Sequence, residues 1–340
     1  VLNASRGALP PAAACDYARF VSQLDFFFLT DHAESYTSQR WRDAQEAVRH
    51  CNAVAGDPDN PDLVAFIGFE WSQFGRSPET HYGHHNVLFR DIEAEALPAR
   101  TIGAAGPASD ALRGNAPGGG GLGMLRWLDV ENRSYYKALA RFMQELQGEA
   151  DCPSGIASPQ LPTDCYESAV TPGELYRKLD EWGLDTLVVP HGTSWGIYTP
   201  PGASWDHQLT ADNHDPEKGR LIEVYSGHGN SENYRDFSAH VIDEKGEAVC
   251  PEPQANYLPS CWQAGNIIRD RCLQAGESAA ECERRAVAAR QHYVEVEHVG
   301  GWKSVPGTTA QDWLDSGQAR DVFLPAFNYR PGKSVQYGLA

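Results

Sequence analysis

Short apolar runs alternate along the chain with segments of helical period. DFFFLT (25–30), LVAFIGF (63–69), HHNVLF (84–89), TLVVP (186–190) and LIEVYSG (221–227) are long enough for buried strands and too short for helices. Between them, 10–24, 36–55, 134–147, 171–183 and 262–295 carry helical patterns. Pro10 and Pro11 open the first helix, with Tyr17, Phe20 and Val21 expected on its packed face. Thr171, Pro172 and Glu174 are a capping-box start, and Gly183 is the matching stop. Gly56 with DPDNPD, and the stretch 100–123 with Gly118 to Gly121 in a row, read as loops. No internal repeat is visible. Strand-helix alternation predicts an α/β fold on a mostly parallel sheet, open or closed into a barrel.

Composition narrows the function classes. A chain of 340 residues with 41% hydrophobic and 10% aromatic residues can build a sizeable core, which excludes global disorder. A formal charge of −18 argues against a nucleic-acid or anionic-membrane partner, either of which needs a basic footprint. No apolar run reaches the ~18 residues of a membrane-spanning helix. The sequence opens on Val1, which fits a processed or clipped chain. Eight cysteines form no C-x-x-C pair, and six lie in three close sequence pairs within polar stretches. That pattern reads as Cys152–Cys165, Cys250–Cys261 and Cys272–Cys282 disulfides, with Cys15 and Cys51 left to pair, and hence as a periplasmic or secreted protein. Eight unrelated thiols in a cytosolic enzyme is the alternative.

The polar residues behind the strands carry the chemistry. DFFFLT runs into Asp31 and His32, LVAFIGF into Glu70, TLVVP into His191, and LIEVYSG into His228. In a parallel α/β fold the strand C-terminal ends converge on one rim, where catalytic groups sit. Three His and one Glu there are metal-ligand types. His84 and His85 open a strand and reach that rim only if it runs antiparallel or follows a tight loop. His50, His207, His214, His240, His292 and His298 read as surface residues.

Two other motifs compete. Gly192-Thr193-Ser194-Trp195-Gly196 fits the G-x-S-x-G nucleophile elbow, but Pro200 and Pro201 oppose the helix that must follow. Gly118, Gly120 and Gly123 fit a dinucleotide fingerprint that no strand precedes.

FFFLTDH, IGFEW, YGHHNVLF, VVPHG and IEVYSGHGNSE together resemble, in order and spacing, bacterial domain-of-unknown-function family 3604. That family looks related to the PHP (polymerase and histidinol phosphatase) metal-dependent phosphoesterases. The first likeness covers nearly the whole chain, the second only the short motifs. The resemblance implies an α/β fold of the distorted (β/α)7 PHP-barrel type. It implies a single domain over 1–340 with insertions near 97–130, 150–170 and 240–320. It implies two or three divalent ions (Zn, Mn or Fe), with His32, Glu70, His84 and His191 as ligands. His84 is preferred to His85 because the PHP pattern reads G-H-x-N. PHP sites also carry H-x-H on the first strand and D-x-H on the last. Neither pair stands at the corresponding end of this sequence, so both are expected just outside it, in a chain lacking its first and last strands.

The expected activity is metal-dependent hydrolysis, foremost of a phosphoester, on a small-molecule substrate, anionic ones included. His228 and Asp31 are the candidate proton-transfer or orienting groups. Arg235 and Arg330 are candidate anion clamps. Trp71, Trp195, Tyr198 and Trp205 are pocket or core residues. Hydrolysis of an amide, lactone or sulfate ester, and a secreted binding protein with a vestigial site, are the alternatives.

Overall fold

The structure is a computed structural model. It describes residues 2–3, 7–8, 10–75, 77–106, 109–110, 113, 128–131, 133–191, 200, 202–224, 239–296, 304–317 and 331–340. The chain divides into two compact units, Val1–His191 with His207–Ile222, and Gly192–Asp206 with Glu223–Ala340.

The first unit opens with a two-residue pair, β1 (Leu2–Asn3) and β2 (Gly7–Ala8). Helix α1 (Pro11–Asp16) continues as a π-helical turn over Tyr17–Val21. Its buried residues are Cys15 and Ala18, while Tyr17, Phe20 and Val21 are 61%, 70% and 63% exposed. This corrects the expected packed face. The Cys15–Cys51 disulfide turns the cysteine side of α1 toward α2 (Ser38–Ala53). Helix α2 starts at Thr37, whose hydroxyl accepts from the Arg40 amide, and buries Trp41, Ala44, Val48 and Cys51.

β3 (Phe26–Leu29) precedes α2. The small pair β4 (Gly56–Asp57) and β5 (Asn60–Pro61) follows it, and then come β6 (Val64–Gln73) and β7 (Gly83–Phe89). Asn52 at the end of α2 exchanges two hydrogen bonds with the Ala65 backbone, at 2.8 and 2.7 Å, as a neighbouring strand would. β8 (Ile102–Ala104) pairs in parallel with β9 (Glu167–Ala169) beyond α3 (Arg133–Gly148). Helix α4 (Pro172–Trp182) is capped by Thr171 and ends on Gly183 in the left-handed region, φ 65°. The Glu174 carboxylate accepts from the Val170 amide, one residue before the expected partner. β10 (Thr186–His191) closes the set.

The main sheet is mixed and has the order β10-β7-β6-β3. β3 and β6 are parallel, whereas β6 with β7 and β7 with β10 are antiparallel. This corrects the mostly parallel expectation: residues 74–82 are too few for a crossover helix, so β7 must return beside β6. The α/β class stands, and among the described residues no closed barrel is found. Residues 221–224, expected in a strand, form none, and Leu221 and Val224 are exposed.

In the second unit, β11 (Val241–Ile242) pairs with β12 (Ala248–Val249). The expected helix over 262–295 is two helices, α5 (Ser260–Gln274) and α6 (Ala279–Val296). They break at Gly276 and are tied by Cys272–Cys282. Cys250–Cys261 fastens the start of α5, and Cys152–Cys165 pins a loop of the first unit. All eight cysteines are thus paired as the sequence spacing predicts. The short α7 (Val335–Leu339) ends the chain, and Trp205 donates to the Ser334 carbonyl at 2.8 Å.

Candidate metal centre

Strand alternation divides the main sheet into two chemically distinct faces. Ala65, Ile67, Phe69 and Trp71 of β6, Val87 and Phe89 of β7, and Val188 of β10 are at most 1% exposed, and all belong to the first unit's hydrophobic core. The alternate residues of β6 are Phe66, Gly68, Glu70 and Ser72. Phe66 stacks on Phe28 at 4.7 Å. A Cβ on Gly68 would lie 2.3 Å from the Val87 carbonyl, so only glycine admits this closeness of β7. Beyond it the face turns polar.

Register then assembles the site. His32 bridges Glu70 just past the end of β3, and the Glu70 amide donates to the Asp31 carbonyl at 2.9 Å. Ser72 of β6 stands opposite His84 of β7, which in turn stands opposite His191 of β10. His85 falls on the other face, edge-on to Trp71 at 5.3 Å between ring centroids. The antiparallel return of β7 therefore carries His84, and not His85, to the rim.

His32, Glu70 and His84 offer ligand atoms that all lie within 4.8 Å of one another. Glu70 Oε1 is in close contact with His84 Nδ1 and 3.7 Å from His32 Nδ1. The His84 and His191 rings are 6.0 Å apart, so His191 adjoins this trio on its β10 side. Glu70 and His84 are each 8% exposed, while half of the His32 side-chain surface is open. The Ser72 hydroxyl sits 2.7 Å from His32 Nδ1 and 3.0 Å from His84 Nδ1.

The electrostatics suit a cation. Burial pushes the Glu70 carboxyl up, but the His84 hydrogen bond and the charges of His32, His84 and His191 outweigh it and hold Glu70 down at about 2. Dehydration by the surrounding protein lowers the His32 pKa. The Glu70 and Asp31 charges oppose that, and the neighbouring histidines reinforce it. An ionised carboxylate beside two imidazoles, with His32 biased toward its neutral form, is a donor set that could hold a metal ion.

The remaining candidates fall elsewhere. Asp31 lies behind His32, with its carboxylate 3.4 Å from the Tyr36 hydroxyl. Trp71 is a core residue whose indole donates to the Ala169 carbonyl, and Trp205 is buried in the second unit. His228, Ser194, Trp195, Tyr198, Arg235, Arg330, His298 and the Gly118–Gly123 motif lie outside the described residues. His240 is only 8% exposed, and His207 stacks on Tyr82 at 4.7 Å, so neither is the surface residue expected.

Sequence reading missed three groups at or beside the centre. Ser72 is one. Asn86 is another, level with Glu70 on the same face. Glu34 is the third: fully buried, its Oε1 accepts from the Ser72 and Ala104 amides at 3.0 and 2.6 Å. Burial raises its pKa to about 7, against the lowering effect of those hydrogen bonds. The signal for Ser72 was its i+2 spacing from Glu70; nothing in the sequence marked Glu34. Compared with family models, curated proteins and solved structures, the chain matches none.

Proposed function

We propose that this protein is a metal-dependent hydrolase acting on phosphoesters, built on the distorted barrel plan of the PHP enzymes. One observation carries the reading: three ligand-type side chains, brought from just past the end of β3, from β6 and from β7, place their donor atoms within 4.8 Å of each other. His32, Glu70 and His84 would hold a divalent cation, with His191 as the adjoining donor from β10, and two or three ions in the complete centre. A divalent cation, when bound, supplies Lewis acidity toward a phosphoryl oxygen and acidifies water.

The protein's own groups do the rest. Glu70 stays ionised and offsets cationic charge. Its burial with that of His84 keeps bulk water from competing for the donors. The half-open edge of His32 faces the side from which a small substrate, anionic ones included, reaches the centre. His228 or Asp31 moves the proton that hydrolysis requires. A net charge of −18 is compatible with an anionic substrate because a bound cation inverts the local field. The four disulfides fit an oxidising compartment, and we place the protein in the periplasm or outside the cell. No described helix is long and apolar enough to cross a membrane.

The test is turnover of aryl phosphates and phosphodiesters with added Zn²⁺ or Mn²⁺, before and after chelation. Activity that needs the ion, and falls by orders of magnitude in Glu70→Gln, is the expected result. Chelator-insensitive activity with Ser194 labelled by a fluorophosphonate overturns it.

A further inference from the structure

A cavity of about 470 Å³ opens between α4 and the loop that Cys152–Cys165 pins. It shares no residue with the metal centre, and its volume lies within the ~300–1,000 Å³ of small-molecule sites. Glu174, Arg177, Lys178 and Glu181 line it from α4, at successive places on one helix face. The disulfide loop and the residues after it contribute Pro153, Ile156 and Leu161. A charged wall and an apolar wall thus enclose one space. Because the disulfide already holds the loop, a ligand gains this site without having to order it.

Every charge on the α4 wall has a protein partner. Lys178 Nζ lies 3.1 Å from Glu167 Oε1, and Arg100 Nε holds the other oxygen of that carboxylate at 2.9 Å. Arg177 pairs with Glu181, whose second oxygen accepts from the Ser158 amide at 2.7 Å. Glu174 accepts from the Val170 amide at 2.8 Å and lies 3.9 Å from Arg177. Asp151, the remaining charged residue of the lining, is exposed to water. A charged ligand would therefore have to break a pair. The Glu167 side chain has no exposure, so an anion that drew Lys178 away would leave a buried carboxylate short of a partner. A cation would have to compete with Arg177 for Glu174 and Glu181. Spare capacity remains on both signs, since a carboxylate has about four acceptor sites, an ammonium three N–H groups and a guanidinium five. A hydroxyl donates one proton and accepts two, so it uses spare donors and acceptors together and displaces no pair.

We propose that this cavity binds a neutral polyhydroxylated ligand, a saccharide unit, with its hydroxyls on Glu174, Arg177, Lys178 and Glu181 and a C–H face on Ile156 and Leu161. The proposal goes beyond the metal-dependent reading and does not depend on it.

The experiment uses the whole metal-free chain, with maltose, cellobiose and lactose as probes in saturation-transfer NMR and calorimetry. At least one should bind, and excess inorganic phosphate or putrescine should leave that binding in place. Arg177→Met, at an exposed helix position, removes donors to the ligand and should weaken binding by about 10-fold or more. Ser154→Trp, on the exposed loop, should fill the cavity and abolish binding. No binding by any of the three sugars overturns the proposal. So does binding that phosphate or putrescine displaces, and so does binding that survives both substitutions.

Discussion

The two faces of the main sheet are made from the same four strands, yet they solve different problems. On one, Ile67, Phe69, Trp71, Val87 and Val188 have no exposure and hold the first unit together. On the other, Phe66 and Leu88 are only partly buried and give way to Glu70, Ser72 and His84. The difference lies in which residues take even and which odd places along a strand. LVAFIGF reads as one apolar run, but the strand continues to Gln73 and its alternate residues belong to a core and to a centre. Stability and chemistry are therefore separable here by one-residue steps.

The sharpest division should appear at Phe69. Phe69→Ala removes a ring buried against Trp41 and Phe89 and should cost about 3–5 kcal/mol in urea unfolding. Any folded fraction should keep parental Zn²⁺ affinity. Loss of affinity without loss of stability would merge the two faces.

The two buried carboxyls should also pull apart with pH. Glu34 is raised from 4.5 to about 7, so its contribution is fully present below about 4.5 and is lost as pH rises through 7. Glu70 is lowered to about 2, so its contribution is present above about 4.5 and is lost as pH falls toward 2. Each shift corresponds to roughly 3 kcal/mol. Melting profiles of metal-free protein should flatten above pH 4.5 in Glu34→Gln and below it in Glu70→Gln. The same slope lost in both variants would refute the opposition.

At the centre itself, His84→Ala should weaken Zn²⁺ binding more than about 100-fold, above the range for outer partners, and should lower the melting temperature near neutral pH, because its hydrogen bond holds the Glu70 carboxyl down. The smallest effect is expected one residue on. His85→Ala, on the Trp71 face, should leave Zn²⁺ affinity at the parental value in the same competition assay. Equal losses at His84 and His85 would mean that the register is wrong.

Much of this was legible from residue order. The strand cores, the capped helix ending at Gly183 and the three local cysteine pairs depend on neighbours in sequence. The residues behind the strands pointed to His32, Glu70, His191 and His228 on one rim, and the family resemblance added His84, which the structure groups with His32 and Glu70. Strand direction was not legible, because apolar runs look alike in parallel and antiparallel sheets. The brevity of 74–82 was the clue. Reading the second strand as ending at residue 69 hid Ser72, which the same alternation places beside Glu70. Glu34 escaped because its role depends on the Ala104 amide, distant in sequence. The exposed side of α1 was misjudged because a disulfide outranks the apolar moment of so short a helix.

The return of β7 beside β6 also bears on how the chain reaches this arrangement in time. A hairpin forms in about 1–10 μs, faster than pairings that must close long loops. Glu70, Ser72 and His84 all belong to that hairpin, whereas His32 and His191 arrive with strands paired across greater stretches of sequence. The inner half of the centre is thus a product of local folding. Its outer half, including the half-open His32, is gained only when the sheet is complete.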